Sequence, residues 1–284
     1  MNVDVVAVRV PCLDAIVDIE PSSGLRPLNL RELWSYRELL YFLAWRDIKV
    51  RYKQTALGAA WAILQPLLTM SVFAIFLGRL AHVPSDGLPY PLFSFAGLVP
   101  WTYFSTAVAT GAVSIVGSQQ LISKVYFPRL LIPLSAAVTP LVDFAVAMLT
   151  LVAMLAWYRV MPGAALAWLP LLLLLAIATA FATALWLSTL TVLYRDVRYV
   201  VAFLMQFWMF ATPVAYPASL VPAKWRVLYG LNPMAGVVEG FRWALVGGPA
   251  PGSIVLVSSA AVAVLLATGL LFFRRLEGTF ADVI

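Results

Sequence analysis

LRELWSYRELLYFLAWRDIKVRYKQTALGAAWAILQPLLTM, residues 30–70, decides the fold. Its first half is charged and aromatic, and its second half runs into apolar sequence without a charge after Lys53. On a helical projection Leu30, Leu33, Trp34, Tyr41, Ala44, Trp45, Ile48 and Tyr52 share one face at i, i+3, i+4 spacing. Arg31, Ser35, Glu38, Arg46, Lys49 and Lys53 gather opposite, while Arg37 breaks the apolar face and Phe42 the polar one. A helix that is basic on one side and Trp/Tyr-rich on the other suits the plane of a membrane interface. The spacing therefore predicts an amphipathic interfacial helix over 30–56 that hands the chain to a first membrane span.

The rest of the chain is of the same kind. Of its 284 residues 63% are hydrophobic and 11% charged, with a mean hydropathy of +0.93. Soluble domains carry about 25% charged residues, so the composition is that of an integral membrane protein. A single cysteine, Cys12, excludes an intrachain disulfide. The net charge of +6 does not imply nucleic acid, because basic residues of membrane proteins collect in cytoplasmic loops. Residues 1–20 contain four acids and no long apolar core, which is not the pattern of a cleaved signal peptide.

Crossing a bilayer takes about 20 apolar residues, and a helix satisfies its own backbone. Apolar runs predict spans near 57–78, 93–116, 131–157, 166–190, 199–216 and 253–273. Six spans put both termini on one side. With that side inward, the inner segments 1–56, 117–130, 191–198 and 274–284 hold 14 of the 19 Lys and Arg residues. The positive-inside rule then places both ends in the cytoplasm. Residues 217–252 are too polar for one span and too apolar for a plain loop. They read as short helices re-entering the outer leaflet, with a seventh and eighth span as the alternative. The resulting fold class is all-α: a tail over 1–29, the interfacial helix, one transmembrane domain over 57–273 and a tail over 274–284.

Much chemistry is missing. A P-loop needs lysine after glycine in a phosphate-cradling turn, and none of Lys49, Lys53, Lys124 and Lys224 follows a glycine. Lone His82, with Asp86 nearby, makes no metal site. Asp143 is the one acid inside a predicted span, whereas ion-coupled transporters bury several. It reads as a packing partner for a hydroxyl or amide on a neighbouring span, with proton carriage as the alternative. The chain offers a passage and no energy source of its own.

Residues 46–66, RDIKVRYKQTALGAAWAILQP, resemble the entry helix and first span of type-2 ABC exporter permeases for polysaccharide, through Arg51, Tyr52, Lys53, Thr55, Leu57, Gly58, Trp61 and Pro66. GLVPWTYFSTAV (97–108), LISKVYFPRLLIPLSAAV (121–138), LYRDVRYV (193–200) and LNPMAGVVEGFRWAL (231–245) are similar to further segments of that family, in the same order. The resemblance implies a homodimer of six-span subunits in a bacterial inner membrane, with two ABC ATPase subunits docked on the cytoplasmic face. It implies export of a lipid-linked glycan of O-antigen, capsule or teichoic-acid type. No cofactor is expected in this chain; ATP and Mg would belong to the ATPase.

Within that frame the segment 117–129 is the coupling knob, with Gln119, Lys124, Tyr126, Phe127 and Arg129 as its contacts. Its alternative is an ordinary basic loop, though bare aromatics are costly in one. Arg46, Asp47 and Arg51 on the entry helix join it, or else pair with lipid headgroups. A glycan path needs rings for sugar faces to stack on. Trp101, Tyr103, Phe104, Gln206, Phe207, Phe210 and Tyr216 are the candidates, against plain packing or interface anchoring. Asn232, Pro233, Glu239 and Arg242 form an outer gate or a structural anchor, and Pro66 is a hinge in the first span. Rival functions are a same-family exporter of a smaller lipo-oligosaccharide or drug, a membrane glycosyltransferase or polymerase using Asp196 or Glu239, and a non-transporting scaffold.

Overall fold

A computed structural model of the chain describes residues 30–53, 60–248 and 250–280. The tail over 1–29, and Thr55, Leu57 and Gly58 of the entry motif, lie outside the described residues. Every regular element among the described residues is a helix. The order is α1 (Leu30–Ser35), α2 (Arg37–Tyr52), α3 (Ala60–Phe73), α4 (Tyr90–Gly117), α5 (Gln119–Lys124), α6 (Leu131–Val138), α7 (Leu141–Trp157), α8 (Leu169–Leu193), α9 (Val197–Ala211), α10 (Ala223–Tyr229), α11 (Pro233–Val246) and α12 (Ser253–Leu276).

Among the described residues five helical stretches are long and apolar enough to cross a bilayer: Ala60–Leu80, Tyr90–Gly117, Leu131–Trp157, Ala164–Leu193 and Ser253–Thr279. This is a multi-pass membrane protein. The sixth expected span falls short. Helix α9 has 15 residues, about 22 Å at the helical rise, against roughly 30 Å of hydrocarbon. The cause is local. Pro213 forces its predecessor out of helical geometry, and Thr212 is extended at φ −104°, ψ 144°. The third span also has an interruption at Thr139–Pro140, between α6 and α7. The first span widens after α3 into a π-helical stretch over Ala74–Leu80.

Helix α4 is the axis of the bundle, buried along most of its length, with α3, α6, α7, α8, α9 and α11 packed around it. The closest packing is against α8, where Gly111 meets Ala184. The main core joins Phe95, Phe104, Leu98 and Val108 of α4 to Leu151 of α7, Ala180 of α8 and Phe241 of α11. A second core gathers at the end where α2 lies. It joins Leu43 of α2, Ile115 of α4, Ile122 of α5, Phe127, Leu131 of α6, Leu185 of α8, Phe273 of α12 and Phe280.

That second core corrects the reading of α2. Its protein-facing stripe is Tyr36, Leu39, Leu40 and Leu43, while Trp34, Tyr41, Phe42 and Trp45 are exposed. The helix thus has two apolar stripes rather than one. The inner one packs on the bundle, and the aromatic one is left for an interface such as a bilayer. Lys49 and Arg37 lie over the rings of Trp45 and Trp34 at 5.4 and 5.7 Å.

The segment 217–252 holds α10, which is largely exposed, and α11, which is almost wholly buried against α4, α8 and α12. Asn232 caps α11, its side chain accepting from the Met234 N–H at 3.1 Å, and Pro233 takes the first helical position. Gly247 ends the helix in the left-handed conformation at φ 73°.

A Cβ at Gly111 would lie 2.5 Å from the Cβ of Ala184, so Gly111→Ala must push α4 and α8 apart. The expected cost is about 1–3 kcal/mol from overpacking. In a thermal melt in detergent the variant should fall below the wild type, whereas Gly117→Ala, with nothing within 4 Å, should not.

Candidate functional site

Asp143 sits in the first turn of α7, near the middle of the stretch Leu131–Trp157, where the last turn of α2 reaches it. A carboxylate there faces the positive end of the α7 dipole. Two side chains from the last turn of α2 answer it. The Arg51 guanidinium forms an ion pair with one carboxylate oxygen, and the Tyr52 hydroxyl donates to the other. Partial burial and the bond to Asp143 push the Tyr52 phenol up to about 12, so it remains a donor at neutral pH. One of the two is the expected hydroxyl, yet the element that supplies both is not a neighbouring span. It is the entry helix itself, across 92 residues of sequence.

Two cavities adjoin this junction, and Arg51 lines both. One, of about 240 Å³, lies between α3, α4 and α7 and is bounded by Trp61, Gln65, Pro66, Thr102, Tyr103, Thr106, Asp143 and Phe144. The other, of about 400 Å³, lies between α2, α4 and α6 and is bounded by Arg46, Asp47, Thr110, Ser114, Ser118 and Thr139. Thr102, Thr106, Thr110, Ser114 and Ser118 recur every fourth residue, so one face of α4 carries a column of hydroxyls past Arg51. Thr110 and Ser114 bond back to the carbonyls of Thr106 and Gly111 at 2.8 and 2.7 Å.

At the opposite end, Arg242 of α11 is buried. Its guanidinium donates to Glu239 Oε1 at 2.9 Å, to the Phe93 carbonyl at 3.3 Å, and to the carbonyls of Pro213 and Val214. It also lies 3.8 Å from the centre of the Phe93 ring. The carbonyls are available because α9 ends just before them. One planar cation thus ties α11 to the start of α4 and to the turn after α9. Gly97 leaves it room, since a Cβ there would sit 2.6 Å from Nη2. Beside it Asn232 joins the same turn, accepting from Trp208 Nε1 at 2.9 Å and donating to the Ala211 carbonyl and to Thr212.

The other expected site residues fall into two groups. In the coupling set Arg46, Gln119, Lys124 and Tyr126 are exposed, and Arg46 pairs with Asp47 at 2.8 Å. Arg51 turns inward to Asp143, Phe127 is buried in the second core at 5% exposure, and Arg129 donates to the Glu277 carbonyl. Those three cannot offer their side chains to a docking partner in this arrangement. In the glycan set Phe207 and Phe210 stand out from α9 with Gln206 exposed beside them, and Tyr216 bonds the Phe210 carbonyl and the Tyr229 hydroxyl.

Trp101, Tyr103 and Phe104 instead lie in the core, at 4%, 2% and 0% exposure. Phe104 packs edge-on against Trp208, Tyr103 against Phe144, and the Tyr103 hydroxyl reaches the Ala137 carbonyl. They present no shared surface to a sugar chain, because α4 is the bundle axis and not its face. Pro66 is buried inside α3, where it lacks the N–H that a helix needs. Reading by residue type missed the Asp143 junction and the carbonyl cage around Arg242. The hydroxyl column was open to view in its fourfold spacing.

The family model for ABC-2 type transporter matches residues 38–246. The chain is 33% identical to an O-antigen export system permease protein RfbA of Myxococcus xanthus, over 90% of this chain and 98% of the relative. It is 26% identical to an O-antigen export system permease protein RfbA of Klebsiella pneumoniae, over 87% of this chain and 95% of the relative. A polysialic acid transport protein KpsM of Escherichia coli is 24% identical over 72% of this chain and 79% of its own length.

Arg242→Ala would leave Glu239 buried and uncompensated, with an expected loss of about 3–5 kcal/mol. Arg242→Lys should not restore it, lacking the planar fork. Replacing both, Arg242→Met with Glu239→Leu, should lose less than Arg242→Ala alone, read from thermal unfolding of the detergent-solubilised protein.

Proposed function

The chain belongs to the ABC-2 type transporter family, and on that footing we propose that it is the permease subunit of an ATP-driven exporter of lipid-linked polysaccharide. The cargo class is carried by the likeness to O-antigen export permeases over nearly the whole of both chains. Residues 117–130 and the end of α12 lie at the α2 end of the bundle, and most of the Lys and Arg residues belong to segments of that end. That end is the cytoplasmic one, in a bacterial inner membrane. Two copies of the subunit and two copies of a separate ABC ATPase make up the exporter, and ATP and Mg bind the ATPase.

The observation that carries the mechanism is the Arg51–Tyr52–Asp143 junction. The ATPase docks on the exposed Arg46, Gln119, Lys124 and Tyr126 and on the half-buried Asp47 that pairs with Arg46. Motion of α2 passes to α7 through Asp143 because no flexible linker separates them there. Pro66 lets α3 bend as α2 moves, since the Ala62 carbonyl has no N–H to hold four residues on. The glycan moves along the exposed aromatic face of α9, where Phe207 and Phe210 supply stacking surface and Gln206 a hydrogen-bonding group. Two such faces, one from each subunit, enclose the path. Asn232, Pro233, Glu239 and Arg242 fix the outer frame of that path rather than open it, because their bonds hold backbone on three sides.

Co-expression with the cognate ATPase should yield a stable complex whose ATP hydrolysis drives glycan across vesicles. In that complex Asp143→Asn should keep ATPase binding and lose export by about tenfold, a coupling loss in the ordinary allosteric range. The exchange Arg51→Asp with Asp143→Arg should recover part of it. Absence of any ATPase complex for the wild-type chain would refute the exporter reading, and full export by Asp143→Asn would refute the junction's part in it.

A further inference from the structure

Between α5 and α6 the coupling segment has no regular structure from Val125 to Pro128. A push delivered there is absorbed by bending unless something braces it, and the brace is the end of α12. Phe127 and Leu130 are buried in one core with Phe273 and Phe280, and Phe280 meets Phe273 edge-on at 5.2 Å. The Arg129 guanidinium donates to the Glu277 carbonyl, where a cation also faces the negative end of the α12 dipole. Arg274 holds the Glu277 carboxylate at 3.2 Å. At its other end α12 is tied to the outer α10–α11 turn by one buried side chain. The Ser258 hydroxyl donates to the Gly230 carbonyl at 2.9 Å, has the Asn232 carbonyl at 3.2 Å and accepts from the Gly236 N–H at 3.1 Å. Between these ties α12 runs from Ser253 to Leu276 with no proline or break, unlike the first three spans, which contain Pro66, Pro100 and Pro140. Helix α8 is also unbroken, but its hydroxyls bond to carbonyls of their own helix.

We infer that α12 is a second path for force, which carries displacement of the coupling segment to the outer α10–α11 turn, with Arg129 and Ser258 as the positioning residues at its two ends. The inference rests on the export reading, in which an ATPase acts on the α5 segment. Coupling over such a distance travels through packed elements and hydrogen bonds that are contiguous, and these are. Ser258 and Arg274 lie about 24 Å apart along one helix, whose backbone bonds resist compression, so a shift at one end arrives at the other. The arrival point is specific. Arg242, about 9 Å further along α11 than Gly236, anchors that helix to α4, so the turn tilts about this anchor instead of shifting whole. Asn232 passes the tilt on through its side-chain bonds to Trp208, the Ala211 carbonyl and Thr212, at the outer end of α9. The coupling segment thereby reaches the outer end of the glycan face without passing through α2 or Asp143.

The test uses the full chain with its cognate ATPase in nanodiscs, with Cys12→Ser and a reporter thiol at Leu231→Cys, an exposed position in the held turn. The rate of alkylation by a charged maleimide is read without nucleotide and with ATP and vanadate. In the parent, nucleotide should change the rate about fivefold, the low end of ordinary coupling between sites. Ser258→Ala should remove most of that change and keep ATPase binding and hydrolysis, because it leaves the cytoplasmic end untouched. Arg129→Met should also lose the change, and Arg129→Lys should keep it, since one bond to the Glu277 carbonyl asks for no planar fork. A Ser258 that only stabilises the fold would lower the melting temperature and leave the nucleotide response at its parent size. That outcome, or a parent rate that ignores nucleotide, would overturn the inference; should one variant fail to fold or to bind ATPase, the other decides. Absence of ATPase binding or hydrolysis in the parent would overturn the export reading and this inference with it, whereas hydrolysis with an unchanged labelling rate overturns this inference alone.

Discussion

A carboxylate placed in an apolar bundle must find compensation within the molecule, since hydrocarbon offers none. For Asp143 that compensation comes from the last turn of α2, by Arg51 and Tyr52 together. The requirement fixes much else. It sets how α2 lies against the bundle, closes one end of the α3–α4–α7 cavity, and joins the entry helix to a helix that runs through the membrane. An ion pair at the water surface would be worth little. Here both partners are about a quarter to a third exposed, and the pair matters less for its energy than for where it ties the chain.

The far end of the molecule solves the same problem differently. Arg242 is enclosed, and its charge is met by one carboxylate, the Phe93 carbonyl of α4 and two backbone carbonyls that the short α9 leaves open. A buried pair of this kind is poor evidence for net stability, because apolar replacements of both partners can do as well. It does specify one arrangement of α4, α11 and the turn after α9. The two ends therefore have different character: a buried cage at one, and at the other a two-residue clasp at the end of a helix that is half exposed.

Hydropathy alone made the all-helical, multi-pass fold legible, because backbone satisfaction in a bilayer leaves few alternatives. The boundaries it drew were less sound where proline intervened: Pro213 cuts α9 short and Pro140 divides the third span. Residue type misled most where burial decides. Trp101, Tyr103 and Phe104 have the look of an aromatic path, yet α4 is central and the rings are core. Arg129 and Phe127 stand in a basic loop by sequence, but the loop folds back on α12 and the second core. By contrast Glu239 and Arg242 were identifiable as a pair from spacing alone, since three residues apart on a helix is one face. The link from Arg51 to Asp143 had no local signal, because it spans 92 residues and depends on how α2 docks.

In the proposed exporter, force enters from a separate ATPase through α2. The account stands on α2 and α7 moving as one body. Pulsed electron–electron distance measurement between nitroxides at Lys49 of α2 and Leu149 of α7, both exposed, tests that directly in a Cys12→Ser background. A single narrow distance that broadens in Asp143→Asn is the expected result. A broad distribution in the parent, or one that stays narrow in Asp143→Asn, would contradict it.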